Sequence, residues 1–78
     1  MKVNRKEIAV GITTEYIKFE SFLKLANAVE SGGMAKNLIQ DGYVLVNGEV
    51  CTMRGKKLRD GDLVTFEGQT YRVCDAAQ

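Results

Sequence analysis

"GYVLVNGEVCTMRGKKLRDGDLVTF", residues 42–66, decides how this chain folds. Two short strand-like runs, "YVLV" and "EVC", are separated by Asn47-Gly48. That dipeptide predicts a two-residue β-hairpin, because both central positions of a type I′ turn need positive φ, which Asn and Gly tolerate. A second turn signal, Asp60-Gly61-Asp62, leads into another strand-like run, "DLVTF". The two carboxylates are expected to hydrogen-bond the turn backbone rather than hold a metal. Between the turns, Arg54, Lys56, Lys57 and Arg59 gather with no carboxylate among them. The whole chain carries a net charge of only +1, so its positive potential is concentrated in this loop.

Working outward, "QTYRV" predicts a further strand paired about Glu67-Gly68, and residues 75–78, "DAAQ", are expected to form a frayed tail. On the N-terminal side, Ala35, Leu38 and Ile39 follow the spacing of a helix that opens on Ser31 as N-cap and closes at Asp41-Gly42. Phe19, Phe22, Leu23, Ala26 and Val29 predict an earlier amphipathic helix, with Glu20, Lys24 and Asn27 on its polar side. "IAVGITT", residues 8–14, reads as a strand, placed at a sheet edge by the glycine in its middle. Phe19, Phe22 and Phe66 are expected in the core, and Tyr43 and Tyr71 in strands. The fold class is therefore α+β: two helices packed on a small, mostly antiparallel sheet with an added N-terminal strand.

Seventy-eight residues predict one domain, residues 1–78, since a chain of this size buries only roughly 60 to 65% of its unfolded surface. With 45% apolar and 27% charged residues, and no run near the roughly 20 apolar residues of a membrane span, no membrane role is expected. The N-terminal "MKVNRKEIAVGITT" starts positive, but its apolar part is short and interrupted by glycine, and no small-residue cleavage site follows. A cytoplasmic protein is expected. Cys51 and Cys74 stand far apart in a chain without histidine, which fits neither a zinc set nor a Cys-x-x-Cys pair. Two reduced thiols in or near strands are expected, with no metal and no cofactor. There is no histidine for acid–base work, no Ser or Cys beside a plausible base and no phosphate loop, so catalysis is not expected.

Clustered Arg and Lys suit a phosphate backbone, because each neutralised phosphate releases condensed counterions. Lys24 and Lys36 add to the same field if the helix pair packs beside the hairpin. Ser31-Gly32-Gly33 opens the second helix. Its free backbone N–H groups have the geometry that receives a phosphate, whereas the alternative is that the glycines serve a tight helix–helix turn. Aromatic residues are too few for base stacking, so single-strand readout is disfavoured.

These residues carry a resemblance. Leu23-Lys24-Leu25, then Ser31-Gly32-Gly33-x-Ala35-Lys36, Gly42-x-Val44-x-Val46-Asn47-Gly48-Glu49, Arg54-Gly55-Lys56-Lys57-Leu58 and Gly61-Asp62-x-Val64 stand in the order and spacing of a known family. The chain resembles the RNA-binding domain first known in small-subunit ribosomal protein four, the S-four or alpha-L motif, and among its members the short stand-alone bacterial ones of the YaaA type. The resemblance covers nearly all of residues 17–66. It implies two helices against a small sheet, with RNA bound across the helix pair and an L-shaped loop. The expected RNA-binding set on this sequence is Lys24, Ser31, Gly32, Gly33, Lys36, Asn37, Arg54, Lys56, Lys57 and Arg59. Many members carry Arg directly after the serine, where this chain has Gly32, so that contact falls to backbone groups or to Lys36.

The expected function is a non-catalytic module for structured RNA, ribosomal RNA or ribosomal particles, with no specificity for DNA. The narrow major groove of A-form RNA excludes side chains, so shape and phosphate geometry would be read more than sequence. The alternatives are an adaptor for an acidic protein partner and a β-grasp carrier. A carrier needs a C-terminal Gly-Gly, and the sequence ends Ala76-Ala77-Gln78.

Overall fold

The computed structural model describes residues 7–75. The positive start at residues 1–6 and the tail at 76–78 lie outside the described residues. In chain order the elements are β1 (Glu7–Ile12), β2 (Ile17–Lys18), α1 (Phe19–Leu25), α2 (Gly32–Gln40), β3 (Val44–Val46), β4 (Glu49–Val50), β5 (Lys57–Leu58), β6 (Leu63–Phe66) and β7 (Gln69–Asp75).

The hairpin forms where the turn chemistry places it: Asn47 and Gly48 have φ of 51° and 86°, and β3 and β4 pair in the register Val46↔Glu49, Leu45↔Val50. β6 lies antiparallel to β3 on its other side and turns into β7 through Glu67 and Gly68, again both at positive φ. β1 runs parallel to β7 and completes a mixed five-stranded sheet in the order β1-β7-β6-β3-β4. The Gly-containing strand is thus an edge strand, as its sequence predicts. It stops at Ile12 rather than at residue 14. There the Thr14 hydroxyl donates to the carbonyl of Tyr16 at 2.7 Å, a local bond that draws the backbone out of the sheet.

The first helix is shorter than its apolar spacing predicts. It ends at Leu25, with Ala26 as C-cap and Asn27 in the left-handed region at φ 61°. Asn is among the few residues that accept this conformation readily, and it breaks the periodicity that Val29 extends by coincidence of spacing. Val29 is nevertheless buried, reached by a bend instead of a helical turn. The second helix begins and ends as expected: the Ser31 hydroxyl accepts from the Met34 N–H at 3.2 Å, and Gly42 stands at φ 82° just past its end. Tyr43, expected in a strand, precedes β3 and is exposed.

Alternate residues of the central strands, Val44 and Val46 on β3 and Val64 and Phe66 on β6, join Phe19, Phe22 and Leu23 of α1 and Ala35 and Ile39 of α2 in one buried cluster. Leu45 and Thr65, pointing the other way, are only half-buried. The helices therefore cover one face of the sheet, and the shortest extent of the molecule is 21 Å, the thickness of a two-layer structure. No helix among the described residues is long and apolar enough to cross a membrane.

Candidate nucleic-acid interface

A seven-residue helix is too short to persist on its own in water. α1 has no side-chain N-cap. Instead its first N–H groups, on Phe19 and Glu20, donate to the carbonyls of Lys56 and Arg54 at 2.8 and 3.0 Å. The basic loop is therefore the cap of α1. The bond works both ways, since it also fixes the loop backbone from which the cationic side chains project.

The loop's second anchor is a two-stranded sheet that sequence reading missed. β5, at the end of the loop, pairs antiparallel with β2, in the register Ile17↔Leu58 and Lys18↔Lys57. Leu58 is fully buried and Ile17 packs on the core, which turns Lys18 and Lys57 outward as directly opposed like charges. Such a pair is destabilising. The Lys57 ammonium and the Arg59 guanidinium lie 4.8 and 5.7 Å from the centroid of the Tyr16 ring, within cation–π range. Lys18 and Tyr16 thus join the cationic cluster. Their signal is the alternation Tyr16-Ile17-Lys18, outward, inward, outward, which a reading that began the helix at Phe19 passed over.

The loop closes at its base through the two turns that bracket it. Asp62 accepts from the Arg59 N–H at 2.8 Å within the turn, as expected, whereas Asp60 accepts from the Asp75 N–H at 2.9 Å and so ties the turn to the end of β7 rather than to its own backbone. Asn47 bridges the turns: its amide donates to Asp62 at 3.2 Å and its carbonyl oxygen accepts from the Leu63 N–H at 3.0 Å.

The expected binding residues fall into two groups. Arg54, Lys56, Lys57 and Arg59 are all exposed on the anchored loop at the N-terminal end of α1. Lys24 occupies the last turn of α1, away from that cap, and Ser31, Gly32, Gly33, Lys36 and Asn37 are exposed on α2 and its start. α2 packs against α1, but among the described residues no hydrogen bond or ion pair joins this second group to the loop. The N–H groups of Gly32 and Gly33 have no partner among the described residues. A Cβ at either position would meet nothing within 4 Å, and neither takes positive φ. The tight-turn explanation for these glycines thus has no steric or conformational basis.

Among the described residues the one ion pair joins Arg72 Nε to Glu7 Oε1 at 3.2 Å, across β7 and β1. Among the described residues the loop cations form none. No cluster of His, Cys, Asp and Glu suited to a metal occurs among the described residues, and Cys51 and Cys74 are free, half-buried thiols.

The chain that builds this arrangement matches a known family model. Residues 10–74 match the S4 domain. The chain belongs to the S4 domain family. It is also similar to a protein of Bacillus subtilis (strain 168), "Probable ribosome maturation protein RlbA", with 49% identity over 59 residues, 76% of this chain and 83% of that protein. The matched span takes in every element from β2 to β6, and with them both groups of expected site residues.

Proposed function

We propose that this S4-family chain acts as a single non-catalytic module in the bacterial cytoplasm. It would bind structured RNA, ribosomal RNA or a ribosomal particle, through its basic face. The observation that carries the reading is the register of β2 and β5, which sets Lys18 directly opposite Lys57 beside Arg54, Lys56 and Arg59, with no described carboxylate in ion-pair range. A fold gains nothing from this repulsion. An external polyanion relieves it by replacing the repulsion with charge-assisted contacts and by releasing its own counterions. The similarity to a protein named for ribosome maturation supports RNA of ribosomal origin. On this reading, Lys24, Lys36, Asn37 and the free N–H groups after Ser31 extend the contact along the helix pair. The rigid anchoring of the loop favours a folded RNA backbone over a flexible strand.

The double variant Lys56→Glu, Lys57→Glu tests the proposal. Both side chains are exposed, and relief of the Lys18–Lys57 repulsion offsets the lost contact of Lys57 with Tyr16, so the fold should survive with little change in melting. Affinity for ribosomal RNA should fall at every salt concentration, and the slope of log affinity against log salt should flatten by about two phosphate contacts. Unchanged affinity and slope would remove the loop from the interface.

A further inference from the structure

Tyr16-Ile17-Lys18 and Lys57-Leu58-Arg59 are built alike, each with two outward side chains about one apolar residue that turns to the core. Three of the four outward groups are cations, and the fourth is an aromatic ring. Tyr16 is 36% exposed and lies outside the buried cluster, so burial does not account for it. Its neighbours are charged: the Lys57 ammonium stands 4.8 Å and the Arg59 guanidinium 5.7 Å from the ring centroid. Both contacts follow from the strand register. With Ile17 opposite Leu58 and Lys18 opposite Lys57, the same antiparallel step sets Tyr16 across from Arg59 and diagonal to Lys57. Opposite and diagonal neighbours on one face are within reach of aromatic and long side chains.

The frame beneath these side chains is fixed. Ile17 and Leu58 belong to the core, the Thr14 hydroxyl holds the Tyr16 carbonyl at 2.7 Å, and the Lys56 carbonyl caps α1. The cations above it would otherwise be loose, because a Lys or Arg side chain in solvent samples many rotamers and like charges drive one another apart. Ordering such a chain on a ligand costs affinity. An aromatic face counters both effects, since its negative quadrupole draws a cation onto the ring. The contact occupies one side of the cation and consumes no N–H donor. Those donors stay available for an anion, whereas an ion pair with a carboxylate would have used them. The Tyr16 hydroxyl makes no hydrogen bond among the described residues, so the ring face is what this residue contributes.

We infer that Tyr16 is a positioning residue for RNA binding, whose ring holds Lys57 and Arg59 in place for phosphates before the RNA arrives. The two cations stand two residues apart along one strand, a separation of roughly 7 Å at their backbones. They therefore suit neighbouring phosphates of one RNA strand rather than a single phosphate. The ring itself touches no phosphate, because its negative face repels an anion. Its effect is on the ordering of the cations and not on their number. Affinity and salt dependence then separate: losing the ring weakens binding, while the count of neutralised phosphates, and with it the salt slope, is kept. This inference rests on the proposed RNA binding and adds to it a residue that carries no charge.

The test measures binding of purified ribosomal RNA and of linear polyphosphate, a phosphate chain without bases, over a range of salt. The full chain is compared with two variants. Tyr16→Leu keeps apolar bulk and removes the ring. It should weaken both ligands by the same factor, about three- to tenfold, the cost of ordering one long side chain, with the salt slope of the parent. Tyr16→Phe keeps the ring and should bind both ligands to within about twofold of the parent. Tyr16 is exposed, so thermal melting should show both variants folded at the assay temperature. Equal or tighter binding by Tyr16→Leu would overturn the inference, and so would a flattened slope, which means lost phosphate contacts. A loss confined to RNA, or a parent that ignores polyphosphate, would move the role of the ring to base stacking. A loss shared by Tyr16→Phe would make the hydroxyl the contact. Either result would also overturn the positioning role while leaving RNA binding by the basic face intact. A parent protein that fails to bind the RNA would sink both.

Discussion

Asn47 shows how much one residue can carry in a small fold. Its backbone supplies positive φ to the hairpin turn, a role that glycine fills equally well. Its side chain does something glycine cannot, because it holds Asp62 and the Leu63 N–H and so ties together the two turns at the base of the basic loop. Asn47→Gly separates the two roles. The turn should form, but two hydrogen bonds are lost and the Leu63 N–H is left to water. Stability in urea unfolding should drop by about 1 to 2 kcal/mol with an unchanged denaturant slope. No loss of stability would mean that the turn alone sets the register.

At the scale of elements, the central fact is that β2 and β5 are each two residues long and still hold their place. They do so because one residue of each faces the core and because the loop carbonyls cap α1 immediately after β2. The opposed Lys18 and Lys57 work against that pairing. Lys18→Glu replaces a like-charge pair with an opposite one, and should raise stability by a few tenths to about 1 kcal/mol at low salt. The same change should weaken RNA binding and flatten its salt dependence by about one phosphate contact. Melting and affinity measured on one variant should move in opposite directions, the signature of a surface shaped for a ligand at some expense in stability. If both fall together, Lys18 supports the fold and has no part in the interface.

For the whole molecule, binding surface and core are one structure joined through Leu58. This residue sits between Lys57 and Arg59 on the loop, yet it is fully buried with the two helices and the sheet. Leu58→Ala leaves a cavity under the loop and should cost about 2 to 5 kcal/mol. A domain of this size has a total stability of similar order, roughly 0.05 to 0.15 kcal/mol per residue. The variant should therefore melt far lower and lose RNA binding at the same time. Leu58→Met, which conserves volume, should keep both to within about 1.5 kcal/mol of the parent. A Leu58→Ala protein that stays folded and binds normally would show that the loop is not built on the core.

Local chemistry determined a large part of this protein. The turns at Asn47-Gly48 and Glu67-Gly68, the cap at Ser31, the stop at Gly42 and the edge position of β1 depend on φ preferences and side-chain bonds within a few residues, so each could be read along the chain. The same is true of the cationic run from Arg54 to Arg59. What sequence could not decide were the meetings of distant segments. Asn27 ended α1 where spacing alone continued it to Val29, because burial of Val29 needs only proximity to the core and not a helix. β2 and β5 are too short to carry a periodic pattern, and they exist because tertiary packing buries Ile17 and Leu58 side by side. That packing brings Lys18 and Tyr16 to a loop far along the chain. Charge content is a property of the sequence, whereas the distances between charges are set only when the core closes.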